Sequence, residues 1–386
     1  VRAMIPDPEM SGVIPGNAGA PPLTPPSVVF LGLQSFGRVG GIQRFNQRLV
    51  RALLSAVGKD RLAAHFIRDL PADIPDDLRE VSTAFGNGRL GYLFRSFTRA
   101  LSADVLMIGH LNLLWIGGVV KTLRPRITLI LMAHGVEVWN DPAIRPARWY
   151  EPRLLRCPDR IACVSTYTKS VMMREFGLDA GQFTTFPNTV DAKVDAQHTP
   201  TAPAFALAVS RMDPHDRSKH LDQIIRAMAE LPSYLDHTRL VLVGDGPLKP
   251  DLQALAQSLG VADRVTFAGR VSDTELQRLY RDATLFVLPS SKEGFGIVYL
   301  EAWSHLLPVI CSIHGAAPEV VTDGVDGFAI DPQDSPALAR AMQRLFEDPA
   351  LAAEMGQKGA EKLLQNYTTD RLQANVAQLI AQPEHG

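Results

Sequence analysis

The chain has 386 residues, of which 46% are hydrophobic, 21% charged and 7% aromatic; the length points to two domains, and the composition excludes a disordered, collagen-like or coiled-coil protein. The formal net charge of −2 is unevenly divided, with +8 over residues 28–190 and −9 over 191–386. This excludes a general nucleic-acid binder and suggests that the basic half meets something anionic, either a membrane surface or a phosphate-bearing substrate; the plainer alternative is uneven surface charge without function.

The first 27 residues hold seven prolines and lack the apolar run of a signal peptide, so 1–27 is expected to be a disordered tail. From Ser27 onward, short β-branched runs alternate with longer amphipathic stretches, the pattern of βα units around a parallel sheet. The first series takes in Val28–Leu31, a helix after Gly41 carrying Ile42, Phe45, Leu49 and Leu53, then Val105–Ile108, Ile127–Met132 and Arg160–Val164. Residues 191–203, with Asp191, Lys193, Asp195, His198 and two prolines, cannot make a buried strand and read as a linker. The second series runs through Phe205–Val209, a helix over Lys219–Leu231, Leu240–Val243, Val265–Ala268, Leu285–Leu288 and Val309–Cys311. In the final segment, 369–386, Leu372, Val376, Leu379 and Ile380 recur at helical spacing and predict an amphipathic helix, without saying where it packs. Two doubly wound α/β domains follow, 28–190 and 204–368. The strongest apolar run, Ile127–Ala133, is far shorter than the ~20 residues of a membrane span. Cys157, Cys163 and Cys311 have no paired spacing, so they are expected to be core thiols of a cytoplasmic protein.

The most informative stretch is PSSKEGFGIVYLEA, from Pro289 to Ala302, which follows an apolar run and opens a helical pattern. Open α/β sheets bind ligands at such carboxyl strand ends; Gly294 and Gly296 permit close backbone approach, and the helix start offers N–H groups to a phosphate. Glu293 and Glu301 flank that position, and a carboxylate accepts from neighbouring sugar or ribose hydroxyls. As lone acids they read equally as a helix cap and a solvated helix residue. Arg211 and Lys219 follow the run Phe205–Val209 and could neutralise the same phosphates, or form an exposed basic loop. Gly40-Gly41 makes a second glycine-rich helix start, but not the GxGxxG of a dinucleotide fold. His134, after Ile127–Met132, stands at another carboxyl strand end, where a lone histidine is more often hydrogen-bonded structure than a catalyst, and Glu137 could orient it or simply be solvated. The chain contains no Asp-x-Asp, HExxH or GxSxG, which disfavours metal-dependent and α/β-hydrolase chemistry.

Together with GGIQRFNQRL from Gly40, HGVEVW from His134, CVSTYTKSVMMREFG from Cys163, FPNTVD from Phe186, LVLVGDGP from Leu240 and PEVVTDGVDGFAIDP from Pro318, the KEGFGIVYLEA stretch resembles the retaining glycosyltransferases of family four, in family order from Val28 to Asp331. The resemblance implies a GT-B fold, two Rossmann-like doubly wound domains facing across a cleft. It also implies a nucleotide-sugar donor on the second domain, an acceptor on the first, and retaining transfer with no cofactor and no essential metal. Carried over by position, Arg211 and Lys219 would hold the donor diphosphate, with Gly41 approaching it from the first domain. Glu293 would meet donor-sugar hydroxyls beside the backbone of Gly294, Phe295 and Gly296, Glu301 the ribose, His134 a distal sugar hydroxyl, and Arg270 and Val271 the base. Two departures stand out: His220 follows the lysine where glycine is usual, and Ser304-His305-Leu306 replaces a small residue and glycine.

The activity so implied is transfer of a hexose to a hydroxyl of a glycan or lipid-linked sugar in polysaccharide or lipoglycan assembly, with GDP-mannose the leading donor and UDP-glucose next. Arg89, Arg95 and Arg99, near Leu93, Phe94 and Phe97, suggest a basic amphipathic surface that would bring the protein to the inner face of an anionic membrane. The alternatives are a nucleotide-sugar epimerase of the same fold and a non-catalytic nucleotide-sugar-binding protein.

Overall fold

A computed structural model describes residues 24–381 apart from 39, 136, 143, 144, 192, 193, 195–197 and 199. Most of the proline-rich tail, part of the linker and the last five residues therefore lie outside the described residues. The first lobe is a seven-stranded sheet of β1 (Val28–Gly32), β2 (Leu62–Phe66), β3 (Ser82–Ala84), β4 (Val105–Ile108), β5 (Thr128–Ala133), β6 (Arg160–Cys163) and β7 (Phe183–Thr185), in the order β3-β2-β1-β4-β5-β6-β7. Every pairing is parallel; β1 lies between β2 and β4, with Val28 opposite both Leu62 and Val105. The chain thus reverses its winding direction at β1, and crevices at such switch points receive ligands. The runs read as strands are strands, but β2, β3 and β7 are additional. Their sequences, LAAHF, STA and FTT, are short or alanine-rich and offer no apolar β-branched run to detect.

The second lobe holds β8 (Phe205–Val209), β9 (Arg239–Val243), β10 (Val265–Gly269), β11 (Leu285–Val287), β12 (Val309–Ser312) and β13 (Gly327–Ile330), in the order β10-β9-β8-β11-β12-β13. All of these pairings are parallel too. The edge strand β13 falls inside the PEVVTDGVDGFAIDP motif and is additional to the strands expected. The helix expected from Lys219 begins at Leu221, because Pro214–Lys219 winds as 3₁₀ turns and His220 sits in the left-handed region at φ 54°. Leu306 does the same at φ 58°. The two positions where this chain departs from the family glycine are therefore positions of positive φ, which an L side chain occupies at a cost of about 1–2 kcal/mol.

The terminal helix Thr369–Ile380 does not stay with the second lobe. Its Leu372, Val376, Leu379 and Ile380 are buried in the first lobe's core beside Phe45, Leu49 and Leu53 of the Gly41–Val57 helix. The preceding helix, Pro349–Asn366, buries Met355 and Leu363 in the second lobe. The polypeptide thus crosses between lobes twice, and the crossings are tied together: Val190 N–H donates to the Tyr367 carbonyl at 2.9 Å, and Asp191 accepts from Arg48 and Thr369. Among the described residues no helix is long and apolar enough to cross a membrane.

Candidate active site

On the second lobe, the segment after β11 is fixed before any ligand arrives. Ser291 N–H donates to the Ser218 carbonyl at 2.8 Å, the Ser291 hydroxyl and His220 Nε2 lie 2.8 Å apart, and Ala316 N–H donates to the Glu293 carbonyl at 3.0 Å. The first two bonds stitch the Pro214–His220 segment to the Ser290–Glu293 segment, and the third ties Glu293 to the turn before the Ala317–Val320 helix. They bring Lys219 Nζ to 2.5 Å from Glu293 Oε2, both side chains mostly buried. Gly296, at φ 94°, opens the Ile297–Trp303 helix, where an added Cβ would strike the Tyr299 ring at 2.3 Å. Glu301 Oε2 accepts from the Tyr280 hydroxyl at 3.1 Å and Oε1 from Arg44 Nη1 at 3.0 Å. Burial pushes the Glu301 carboxyl above its ordinary range, while Arg44 and Tyr280 oppose the shift.

On the first lobe, the loop leading to Gly40-Gly41 hangs from one buried carboxylate. Asp69 accepts from the N–H groups of Ser35, Phe36 and Gly37 at 2.7, 3.0 and 2.8 Å. Behind it, Asn46 donates to the Ser35 hydroxyl and Gln47 to the Ser35 carbonyl. His134, at the end of β5, packs its ring edge-on to Phe45 at 4.9 Å and lies 3.3 Å from the Gly109 carbonyl through Nε2. A carbonyl only accepts, so Nε2 carries the proton and Nδ1 is left as an acceptor. Burial lowers the imidazole pKa against the pull of Glu137, which keeps the ring neutral. Glu137 accepts from the His134 backbone N–H at 2.5 Å, not from its ring.

The two walls touch. An added Cβ on Gly294 would lie 2.3 Å from the His134 carbonyl oxygen, and one on Gly135 would lie 3.3 Å from Gly294 Cα. Lys292 pairs with Asp141 across the gap, and Glu319 accepts from Thr166 N–H at 2.7 Å and Tyr167 N–H at 2.5 Å at the start of the Thr166–Phe176 helix.

Several anticipated residues therefore meet: Lys219 with Glu293, and His134 with Gly294. Arg211 is not bonded to them. It follows β8 with its side chain 76% exposed and pairs with Asp216 at 3.1 Å, on a cavity of about 360 Å³ also lined by Arg217, His220 and Arg226. Phe295 turns its ring into the second lobe's core against Tyr367, so only its backbone faces the site. Gly41 has open space around it at the helix start, with nothing within 4 Å of an added Cβ. Arg270 is exposed and Val271 half-buried, just after β10 and ahead of Asp273. Glu301 is not the solvated helix residue of its plainer reading. Arg44, Asp273, Tyr280 and Asp69 were not singled out, although Arg44 lies within the GGIQRF motif; no local pattern says what a side chain meets in the other lobe.

The basic surface also needs correction. Leu93 and Phe97 of the Arg89–Ala100 helix pack against the first lobe's core, whereas Leu90 and Phe94 stand outward at 85% and 74% exposure. Phe97 meets Trp115 of the neighbouring Leu114–Leu123 helix, whose Trp115, Val119 and Leu123 add to the exposed apolar face.

Residues 39–194 match the model of the family described as Glycosyltransferase Family 4, and residues 190–362 that of Glycosyl transferases group 1. The chain is 32% identical over 272 residues to a GDP-mannose-dependent alpha-(1-6)-phosphatidylinositol monomannoside mannosyltransferase of Mycolicibacterium smegmatis, covering 66% of this chain and 70% of that one. It is 30% identical over 278 residues to the lipopolysaccharide core biosynthesis mannosyltransferase LpcC of Rhizobium leguminosarum bv. viciae, covering 61% and 78%. Among solved structures, sucrose-phosphate synthase of Thermosynechococcus elongatus superposes with a TM-score of 0.74 at 22% identity, covering 91% of this chain and 97% of the other. Anabaena HepE in complex with UDP-glucose gives 0.71 at 21% identity, covering 91% and 99%. At these identities the structural likeness is one of fold.

Proposed function

This chain belongs to glycosyltransferase family 4 and is a glycosyltransferase of GT-B fold that uses a nucleotide sugar; from that premise we propose that it transfers mannose from GDP-mannose, with retention and without an essential metal, to a hydroxyl of a glycan or lipid-linked sugar. The observation that carries the reading is the Lys219–Glu293 pair at the carboxyl end of the second sheet, set where the first lobe's His134 meets Gly294. A mannosyl donor is favoured by relatives named as mannosyltransferases at 30% identity and above; UDP-glucose is the second candidate. Transfer is favoured over epimerisation or mere binding for the same reason.

In the proposed reaction the acceptor oxygen bonds to the anomeric carbon as the bond from that carbon to the diphosphate oxygen breaks on the same face. The acceptor proton passes to the departing phosphate oxygen, so no separate base is required. Lys219 neutralises the charge developing on the diphosphate. Arg211, whose side chain is exposed though its partner Asp216 is mostly buried, would have to leave that ion pair to reach the diphosphate. Glu293 receives sugar hydroxyls, and neutral His134 offers Nδ1 to another. In a thermal-shift panel, GDP or GDP-mannose raises the unfolding midpoint more than UDP forms, because a ligand of the folded state stabilises it by mass action; transfer from GDP-[¹⁴C]mannose to extracted lipid-linked glycans then identifies the acceptor class. A panel in which no guanine or uracil nucleotide stabilises the protein would refute the reading.

We also propose that the first lobe rests on an anionic membrane. Leu90, Phe94, Trp115, Val119 and Leu123 form an exposed apolar face on two helices that contain no acidic residue, and exposed Arg89, Arg95 and Arg99 accompany them. Each such arginine near an anionic leaflet contributes about 1 kcal/mol. The protein is expected to float with phosphatidylglycerol vesicles at low salt and Phe94→Asp to stay at the bottom of the gradient; equal flotation of both, or of neither, would discard this surface.

A further inference from the structure

Behind the Glu293–Gly296 segment, two cavities of about 500 Å³ and about 340 Å³ run from the gap between the lobes to the edge strand β7. Both have Thr185 and Asn375 in their walls and so make one groove, of the size that ligand sites occupy. Its floor is apolar: the rings of Phe295 and Tyr367 meet edge-on at 5.7 Å in the larger part, and Phe186 is buried beneath the smaller. Its rim is polar. The Thr184 and Thr185 hydroxyls and the Asn375 and Gln378 amides, from β7 and the terminal helix, make no hydrogen bond to any described residue. Arg160 and Arg371 each give one N–H to a carbonyl, of Leu379 and Gln365, and keep the rest of the guanidinium fork. Glu319, the one acid among the described lining residues, already accepts from Thr166 and Tyr167.

Amides and hydroxyls both donate and accept, and the group that answers them atom for atom is another hydroxyl. With its carboxylate spent, the groove has no spare anion for a cationic ligand, and the two arginine forks add donors for hydroxyl or ring oxygens. A pyranose carries hydroxyls around its edge and C–H groups on its faces, so it bonds to such a rim while lying on an aromatic floor. We propose that the groove is a second saccharide site, separate from the interlobe cleft, which takes an oligosaccharide of pyranose units lying along β7 and the terminal helix. Phe295 joins the two sites, because its ring floors the groove while its backbone follows that of Glu293 and Gly294. On the glycan-acceptor reading above, a chain held there stays on the enzyme between encounters with the cleft, which raises its effective concentration where transfer takes place.

The test titrates maltotriose and α-1,6-mannotriose into the full chain by saturation-transfer NMR, without nucleotide and again with GDP or UDP at saturation. At least one trisaccharide is expected to bind, with a Kd that nucleotide and Lys219→Ala, both acting in the cleft, change by no more than about twofold. Asn375→Ala removes an amide shared by both parts of the groove, at a helix position that alanine suits, and is expected to weaken binding about five- to tenfold, the worth of one or two neutral hydrogen bonds. Gln378→Ala, at an exposed position, weakens it by less and serves if Asn375→Ala does not fold. Binding of neither trisaccharide, equal binding in wild type and both groove variants, or loss of binding with saturating nucleotide or in Lys219→Ala overturns the groove as a saccharide site. So does a wild-type dimer in analytical ultracentrifugation that Asn375→Ala converts to monomer, since the open edge of β7 then pairs with a second copy. Each of these outcomes leaves the donor reading intact, because nucleotide binding tests that reading separately.

Discussion

Lys219→Ala is expected to lower kcat by about 10²–10³-fold at saturating donor, the usual loss when one preorganised group facing developing charge is removed. Lys219 is held at 2.5 Å from Glu293 in the empty site, so its ammonium is already positioned when the diphosphate begins to leave. Pairing also keeps two opposite charges in a partly buried corner, and the mutation leaves Glu293 with 17% of its side chain in water to solvate its charge. The protein should therefore remain folded, with a melting curve as cooperative as that of wild type. Lys219→Arg keeps the charge but changes its shape, and is expected to retain intermediate turnover. Kinetics with an identified donor decide the matter: wild-type kcat in Lys219→Ala would remove this residue from the reaction.

The second large effect is steric. Gly294→Ala is expected to reduce kcat/KM by about 10²-fold, the penalty for a displacement of about 1 Å between reacting groups. The added methyl carbon would lie 2.3 Å from the His134 carbonyl oxygen, and that obstacle is backbone, which cannot rotate aside as a long side chain can. The lobes must step apart, separating His134 and the acceptor side from Lys219 and Glu293. Nucleotide affinity should change little, because Lys219, Glu293 and Glu301 all sit on the second lobe. A calorimetric Kd near wild type beside a collapsed kcat/KM is the expected signature; undiminished activity would show that the lobes do not work at this approach distance.

Legibility followed range. Buried strands such as ILM within β5 and LVLV within β9 are visible because parallel strands covered on both faces need unbroken apolar runs. Edge strands β3, β7 and β13 need no such run and escaped, as did the interior, alanine-rich β2, whereas the edge strand β10 was legible from its own run. The positions of His220 and Leu306 stood out as departures from glycine, but only φ values of 54° and 58° explain the glycine preference. The helical spacing of Leu372, Val376 and Leu379 predicted a helix, yet spacing carries no information about which lobe receives it.

By itself the amino-acid sequence determined the two parallel sheets and the glycine-flanked segment after β11, because periodicity and backbone freedom are properties of neighbouring residues. Only the tertiary structure decided that Arg44 clasps Glu301 and Asp273, that Asp69 carries the loop before Gly40, that Phe94 rather than Phe97 faces outward, and that the terminal helix returns to the first lobe. Each of these joins residues far apart in the chain, and such contacts are set by how whole elements pack rather than by the order in which their residues occur.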